Sequence, residues 1–288
     1  MKDIIIDTII DNLKILPFLF IAFIIIEFTE HKLNKKSEKI ISKAGKFGPL
    51  IGSVVGAIPQ CGFSVLATNL YITRIITLGT LISVYLSTSD EMLPILIAEN
   101  TDFNIIISLI LIKILIGFIS GFIIDMIIKD NNKKHYDICK DEHCNCEHGI
   151  IKPAIKHTIK IFIFIFIFTF ILNSCFHYIG ENTIKAILNK NTFFTPFITG
   201  IIGLIPNCGS SIILTELYIN HILPISAVLA GLLANSGVAL LVLFKSDKNP
   251  KECLKIVFII YFISVISGFL LKFLNLWKSV FIIKSNLI

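Results

Sequence analysis

Two cysteines, each held between a proline and a glycine, sit in apolar sequence 147 residues apart: Pro59-Gln60-Cys61-Gly62-Phe63-Ser64 and Pro206-Asn207-Cys208-Gly209-Ser210-Ser211. Thiols brought together from two such motifs favour soft partners, trivalent arsenicals or thiophilic metals, over Mg²⁺ or Ca²⁺. A lone cysteine in a helix serves as well as a small packing residue. It is the repetition beside proline and glycine that favours binding. The chemistry of such a motif needs each residue type: proline ends an entering half-helix, glycine lets the backbone turn back, and the freed helix ends offer N–H and C=O groups to a substrate. Gln60, Asn207, Ser64, Ser211, Thr68 and Thr215 either line the same cavity or act as glue between packed helices.

A second polar pair interrupts apolar sequence further on. Ser87-Thr88-Ser89-Asp90 has Ala234-Asn235-Ser236-Gly237 as its counterpart at the same offset. Asp90, Glu91 and Glu216 are carboxylates within apolar segments, where ionisable groups are costly and mark ion or proton pathways. Asp90 equally suits the N-cap of a half-helix. Because its counterpart is Gly237, any protonation role for Asp90 is one-sided. Lys113, whose counterpart is Ile260, fits pairing with an acid or snorkelling to an interface. Arg74 and His221 hold equivalent positions and read as interfacial anchors.

A third cluster lies in the hydrophilic middle of the chain: His135, Cys139, His143, Cys144, Cys146 and His148. Sulfur and imidazole at this density suit a borderline or soft ion such as Zn²⁺ or Cu⁺, as a low-specificity trap or sensor. The spacing is not that of a structural zinc finger, and Asp137, Asp141, Glu142 and Glu147 also fit a polar linker with incidental ligands. No cofactor is required by the rest of the chain.

The elements that position these groups follow from the repeat. Pro49, Ile51, Gly56, Ile58, Thr68, Leu70, Tyr71, Ile72 and Ile75 all recur 147 residues later, and Ser120-Gly121-Phe122 recurs as Ser267-Gly268-Phe269. One ungapped offset therefore joins two halves. Hydrophobic residues form 55% of the 288, and spans of about 20 apolar residues, the length needed to cross a bilayer, occur at 12–28, 104–128, 155–176 and 253–276. The fold class is all-α: a polytopic membrane protein at the plasma or inner membrane. The run from Ile161 to Phe168 alternates with period two, yet both faces are apolar, which argues against a barrel strand with a polar lumen. Segments 47–58 and 62–73 are about 12 residues each, or about 18 Å as helix, enough to reach the midplane of the bilayer and return. They read as a re-entrant hairpin with its tip at Pro59 to Gly62. Residues 75–98 then cross once with a central break, and 104–128 cross back.

Loop charge sets the orientation. Lys32, Lys35, Lys36, Lys39, Lys43 and Lys46 follow the first span, whereas 178–193 in the second half carries only Lys185 and Lys190 against Glu181. Further on, Glu99 and Asp102 face Lys245, Lys248 and Lys251 at the corresponding connection. By the positive-inside rule the bias reverses between the halves, so the repeats are inverted. The expected organisation is a first membrane repeat at 1–128, a cytoplasmic Cys/His-rich linker at 129–154 and a second repeat at 155–288, with about ten hydrophobic segments and both termini outside. The net charge of +6 comes from loop lysines and reports topology, not a nucleic-acid partner. Asp3, Asp7 and Asp11 near the start do not fit a cleavable signal. No G-x-x-x-x-G-K-S loop is present, so transport driven by ATP within this chain is not expected.

The two Pro-x-Cys-Gly motifs, the Ser-Thr-Ser and Asn-Ser breaks and the run His143-Cys144-Asn145-Cys146-Glu147-His148 together resemble the ten-segment heavy-metal exporter family. Its members are described as arsenic efflux proteins and as manganese transporters, and it is distantly similar to the organoarsenical permeases. The resemblance implies secondary export of a metal or metalloid across the lipid bilayer. Sulfur at the tips argues for a thiophilic, arsenic-type substrate, whereas Mn²⁺ would want the oxygen ligands of Asp90, Glu91, Glu216, Gln60 and Asn207. Two other classes are a metal-sensing membrane receptor built on the central loop and, least favoured, an intramembrane enzyme, since no histidine adjoins either cysteine in sequence.

Overall fold

The computed structural model describes residues 47–59, 61–89, 92–128, 194–246 and 249–274, together with scattered helical positions within 9–24 and 151–174. The Cys/His-rich segment 129–150 lies outside the described residues, as do Gln60, Asp90 and Glu91. Among the described residues every regular element is a helix. The first repeat contains α1 (Gly48–Gly56), α2 (Cys61–Ile72), α3 (Leu78–Ser87), α4 (Met92–Ala98) and α5 (Phe103–Ile127). The second contains α6 (Thr195–Gly203), α7 (Cys208–Ile219), α8 (Ile225–Ala234), α9 (Ala239–Ser246) and α10 (Pro250–Leu274). The first residues of all five pairs differ by the same 147 positions that relate the sequences.

Each repeat is a half-length hairpin, a broken crossing and a long outer helix. At 9 and 12 residues, α1 and α2 are too short to span a core of about 30 Å. The crossings Leu78–Ala98 and Ile225–Ser246, and the helices Phe103–Ile127 and Pro250–Phe273, are the four that are long and apolar enough among the described residues. The broken crossings are mostly buried, whereas the long helices bury only a minority of their residues. The exposed face of α5 carries Ile107, Leu111, Leu115, Ile119 and Ile123; that of α10 carries their counterparts Leu254, Phe258, Phe262, Ile266 and Leu270. A spacing of four residues makes each set one helical stripe, suited to lipid. The same spacing exposes Ile151, Ile155, Ile159, Ile163, Ile167 and Ile171, and residues 162–167 are helical. The period-two alternation of Ile and Phe there is a helix that is apolar on all sides.

Within each repeat the first hairpin helix packs on the first half of the crossing, α1 on α3 and α6 on α8. Glycine permits the contact: a Cβ on Gly56 would meet the Val84 carbonyl at 2.5 Å, and one on Gly203 the Gly231 carbonyl at 2.0 Å. The long helices approach equally closely, since a Cβ at Gly121 would lie 2.4 Å from the Gly79 carbonyl and one at Gly268 2.7 Å from that of Ser226. That contact is the physical reason the glycine of the Ser-Gly-Phe triplet recurs. Asp125, near the end of α5, fixes the start of α3 by accepting from the Thr77 hydroxyl at 2.7 Å and the Gly79 N–H at 2.8 Å.

The repeats join by exchange. The return helix α2 packs on α9, the second half of the other repeat's crossing, and α7 packs on α4 in the same way. The two α3-type helices, α3 and α8, meet between them. Arg74, at the base of the first hairpin, donates to Glu252, at the start of α10, through two nitrogens at 3.1 and 3.2 Å. One crossing separates Arg74 from Ile105, the counterpart of Glu252. Parallel repeats would hold Arg74 and Glu252 on opposite faces of the bilayer, so the observed pair requires the halves to be inverted.

Candidate functional site

The two tips differ from the sequence expectation in where each residue falls. The entering helices end at Gly56 and Gly203, with Ala57 and Leu204 as C-caps, so Pro59 and Pro206 lie two or more residues beyond them. Proline stops the helix from resuming, as is common just past a C-cap. Gly62 and Gly209 are not the turning residues, because each is the second residue of a return helix. Cys61 and Cys208 are the first residues of α2 and α7.

Behind the tips the halves repeat in detail. The Thr68 hydroxyl donates to the Ser64 carbonyl at 2.7 Å, and the Thr215 hydroxyl donates to that of Ser211 at 2.7 Å. Both threonines thus bond to their own helices, and Thr68 also bonds the buried Tyr85 hydroxyl. Ser64 and Ser211 are buried, as is Asn207, the extended N-cap of α7. Ser210 ties down the second tip by donating to the Asn207 carbonyl at 2.8 Å; its counterpart, Phe63, has no such group.

The breaks fall where the sequence places them. Helix α3 ends at Ser87 and the chain leaves it at Thr88, whose ψ is 127°; α8 ends at Ala234 and leaves at Asn235 with ψ 109°. Ser87, Thr88, Ser89, Asn235 and Ser236 are all buried. The first three hydroxyls donate to carbonyls of α3. The Asn235 side chain instead accepts from the Gly237 N–H at 2.8 Å, with Gly237 at φ 57°. A left-handed residue at that point explains glycine there. Among the described residues the buried Ser236 hydroxyl has no hydrogen-bond partner, and neither has the side-chain nitrogen of Asn69.

Asn69 was not singled out by the sequence reading. Its position gives the signal: it is the counterpart of Glu216, a half-buried carboxylate on α7. The structure removes the snorkelling reading of Lys113. Its side chain is 1% exposed, and the ammonium donates to the carbonyls of Thr88 and, at 3.0 Å, Leu232. It stands between the two breaks and does not snorkel. Arg74, expected as an interfacial anchor, also joins the repeats through Glu252. Among the described residues, no group of three or more His, Cys, Asp or Glu residues is placed to hold a metal ion.

Half-helix ends paired between two repeats suit a carrier, in which irregular backbone at membrane depth faces protein or a wet cavity. The sequence model of a family described as "Putative, 10TM heavy-metal exporter" matches residues 1–174, 128–245 and 161–286, three overlapping stretches that cover nearly the whole chain. The chain belongs to that family. Membership in the heavy-metal exporter family supports a multi-pass membrane protein that transports metal, and points away from an enzyme. No curated protein matches significantly, and neither does any solved structure.

Proposed function

We propose that this chain is a secondary exporter of a heavy metal or metalloid at the cell membrane, with a thiophilic, arsenic-type substrate. The observation that carries the reading is the exchange packing of α2 on α9 and α7 on α4, which sets each return helix against the broken crossing of the other repeat. A substrate held between tips and breaks contacts both repeats at once. Rocking of one repeat against the other then exposes the site to alternate faces. Cys61 and Cys208 supply soft sulfur; Pro59, Gln60, Gly62, Ser64, Pro206, Asn207, Gly209 and Ser211 complete the tips. The breaks contribute Ser87, Thr88, Ser89, Asn235 and Ser236. Asp90, Glu91 and Glu216 are the carboxylates available to carry a coupling proton.

The test is expression in a metal-sensitive host challenged separately with arsenite, methylated trivalent arsenic, Mn²⁺, Zn²⁺ and Cd²⁺. Tolerance and lowered accumulation are expected for the trivalent arsenicals. Protection against Mn²⁺ alone would move the ligands from sulfur to the carboxylates. Protection against none of them, with the protein present in the membrane, would remove export from consideration.

A further inference from the structure

Two helix ends face one another where the repeats meet, and the Lys113 side chain joins them. Helix α3 ends at Ser87 with Thr88 as its C-cap; Leu232 lies in the last turn of α8 (Ile225–Ala234). The last carbonyls of a helix lack intrahelical partners, and each C-terminus carries about half a negative charge. Two such ends together present about one negative charge. The ammonium of Lys113 donates to a carbonyl from each. The hydroxyls of Ser87 and Thr88 do not substitute for it, because both donate to carbonyls of α3 itself. The second repeat offers no equivalent, since the counterpart of Lys113 is the fully buried Ile260.

We propose that the facing ends of α3 and α8 form a monovalent-cation site whose resident occupant is the tethered ammonium of Lys113. Charge and ligand type match: carbonyl oxygens at half-helix C-termini are the groups that coordinate small alkali ions in broken-helix carriers. The wild-type protein therefore takes up no free ion at this junction. Removing the ammonium turns a filled site into an empty one, open to Na⁺, Li⁺, K⁺ or a small alkylammonium.

The experiment compares melting of the purified full-length protein in NaCl, LiCl, KCl, propylammonium chloride and choline chloride at equal ionic strength. Choline is too bulky for the site and controls for salt. Wild type should melt at one temperature in all five. Lys113→Ala should melt lower in choline and recover in at least one of the other salts by about 5 °C, with saturable dependence on its concentration. Lys113→Met keeps the side-chain volume without the charge, and should melt below wild type in every salt because the methyl end blocks the vacancy. If neither neutral variant accumulates in the membrane while Lys113→Arg does, a cation at this junction is required, as proposed. Lys113→Ala melting alike in all five salts would overturn the proposal, as would Lys113→Met equal to wild type, or loss of Lys113→Arg along with both neutral variants. Melting needs no transported substrate, so the outcome is independent of whether the exporter assignment holds.

Discussion

Arg74 and Glu252 are 178 residues apart and joined by two hydrogen bonds, at 3.1 and 3.2 Å, with Tyr71 donating to the same carboxylate. Arg74 ends the first hairpin in a left-handed turn at φ 60°, and its counterpart His221 does the same at φ 58°. The latch is not repeated by its symmetry counterparts, because Ile105 stands where a partner for His221 would be.

Breaking the latch should weaken contact between the repeats. The side chains are 25% and 23% exposed, so the bidentate pair should contribute about 1 kcal/mol, near the upper end for partly solvated pairs. Arg74→Ala and Glu252→Ala should each lower the melting temperature, with the double variant adding little to either single. Additive losses in the double-mutant cycle would show that the two side chains do not act as a pair.

The glycines of the hairpins should separate into two classes. Gly203→Ala places a methyl against the backbone of Gly231 and should destabilise by about 2 kcal/mol or more, as overpacking does. Among the described residues, Gly209→Ala meets nothing closer than the Asn207 side chain at 3.4 Å, so it should leave stability near wild type or slightly raised. Melting of both variants checks this. An equal loss at the two positions would mean that Gly209 does serve the turn.

Cys61 and Cys208 should behave as one unit in transport. Serine keeps size and polarity but not soft coordination, so for an arsenical substrate Cys61→Ser and Cys208→Ser should each abolish most export, and the double variant should add little. The readout is cellular accumulation at equal protein level. Full export by the double variant would return both cysteines to packing.

The duplication, the half-length hairpins and the breaks were legible because each leaves a local mark: an ungapped offset, a proline beside a glycine, a Ser-Thr-Ser run in apolar sequence. Loop lysines gave the inversion independently of the Arg74–Glu252 pair. What escaped was non-local. Nothing near Lys113 names Thr88 or Leu232 as partners, and nothing near Arg74 names Glu252, because both contacts form only when the repeats exchange helices. The proline and glycine at each tip were read as the turn itself, whereas the structure ends each entering helix earlier, at Gly56 and Gly203, where close approach to the crossing decides the residue. Asn69 was overlooked because one asparagine in a helix is unremarkable until its counterpart, Glu216, is set beside it.

Inversion of the two repeats is tested most directly by the sidedness of two equivalent connections. Asn100 follows the crossing of the first repeat and Asn249 that of the second; both are exposed. Single Asn100→Cys and Asn249→Cys variants in intact cells, treated with a membrane-impermeant thiol reagent and scored against the parent protein, should label on opposite faces, Asn100→Cys from outside and Asn249→Cys only after the membrane is opened. Labelling of both from the same face would contradict the inverted arrangement and, with it, a transport site shared between the repeats.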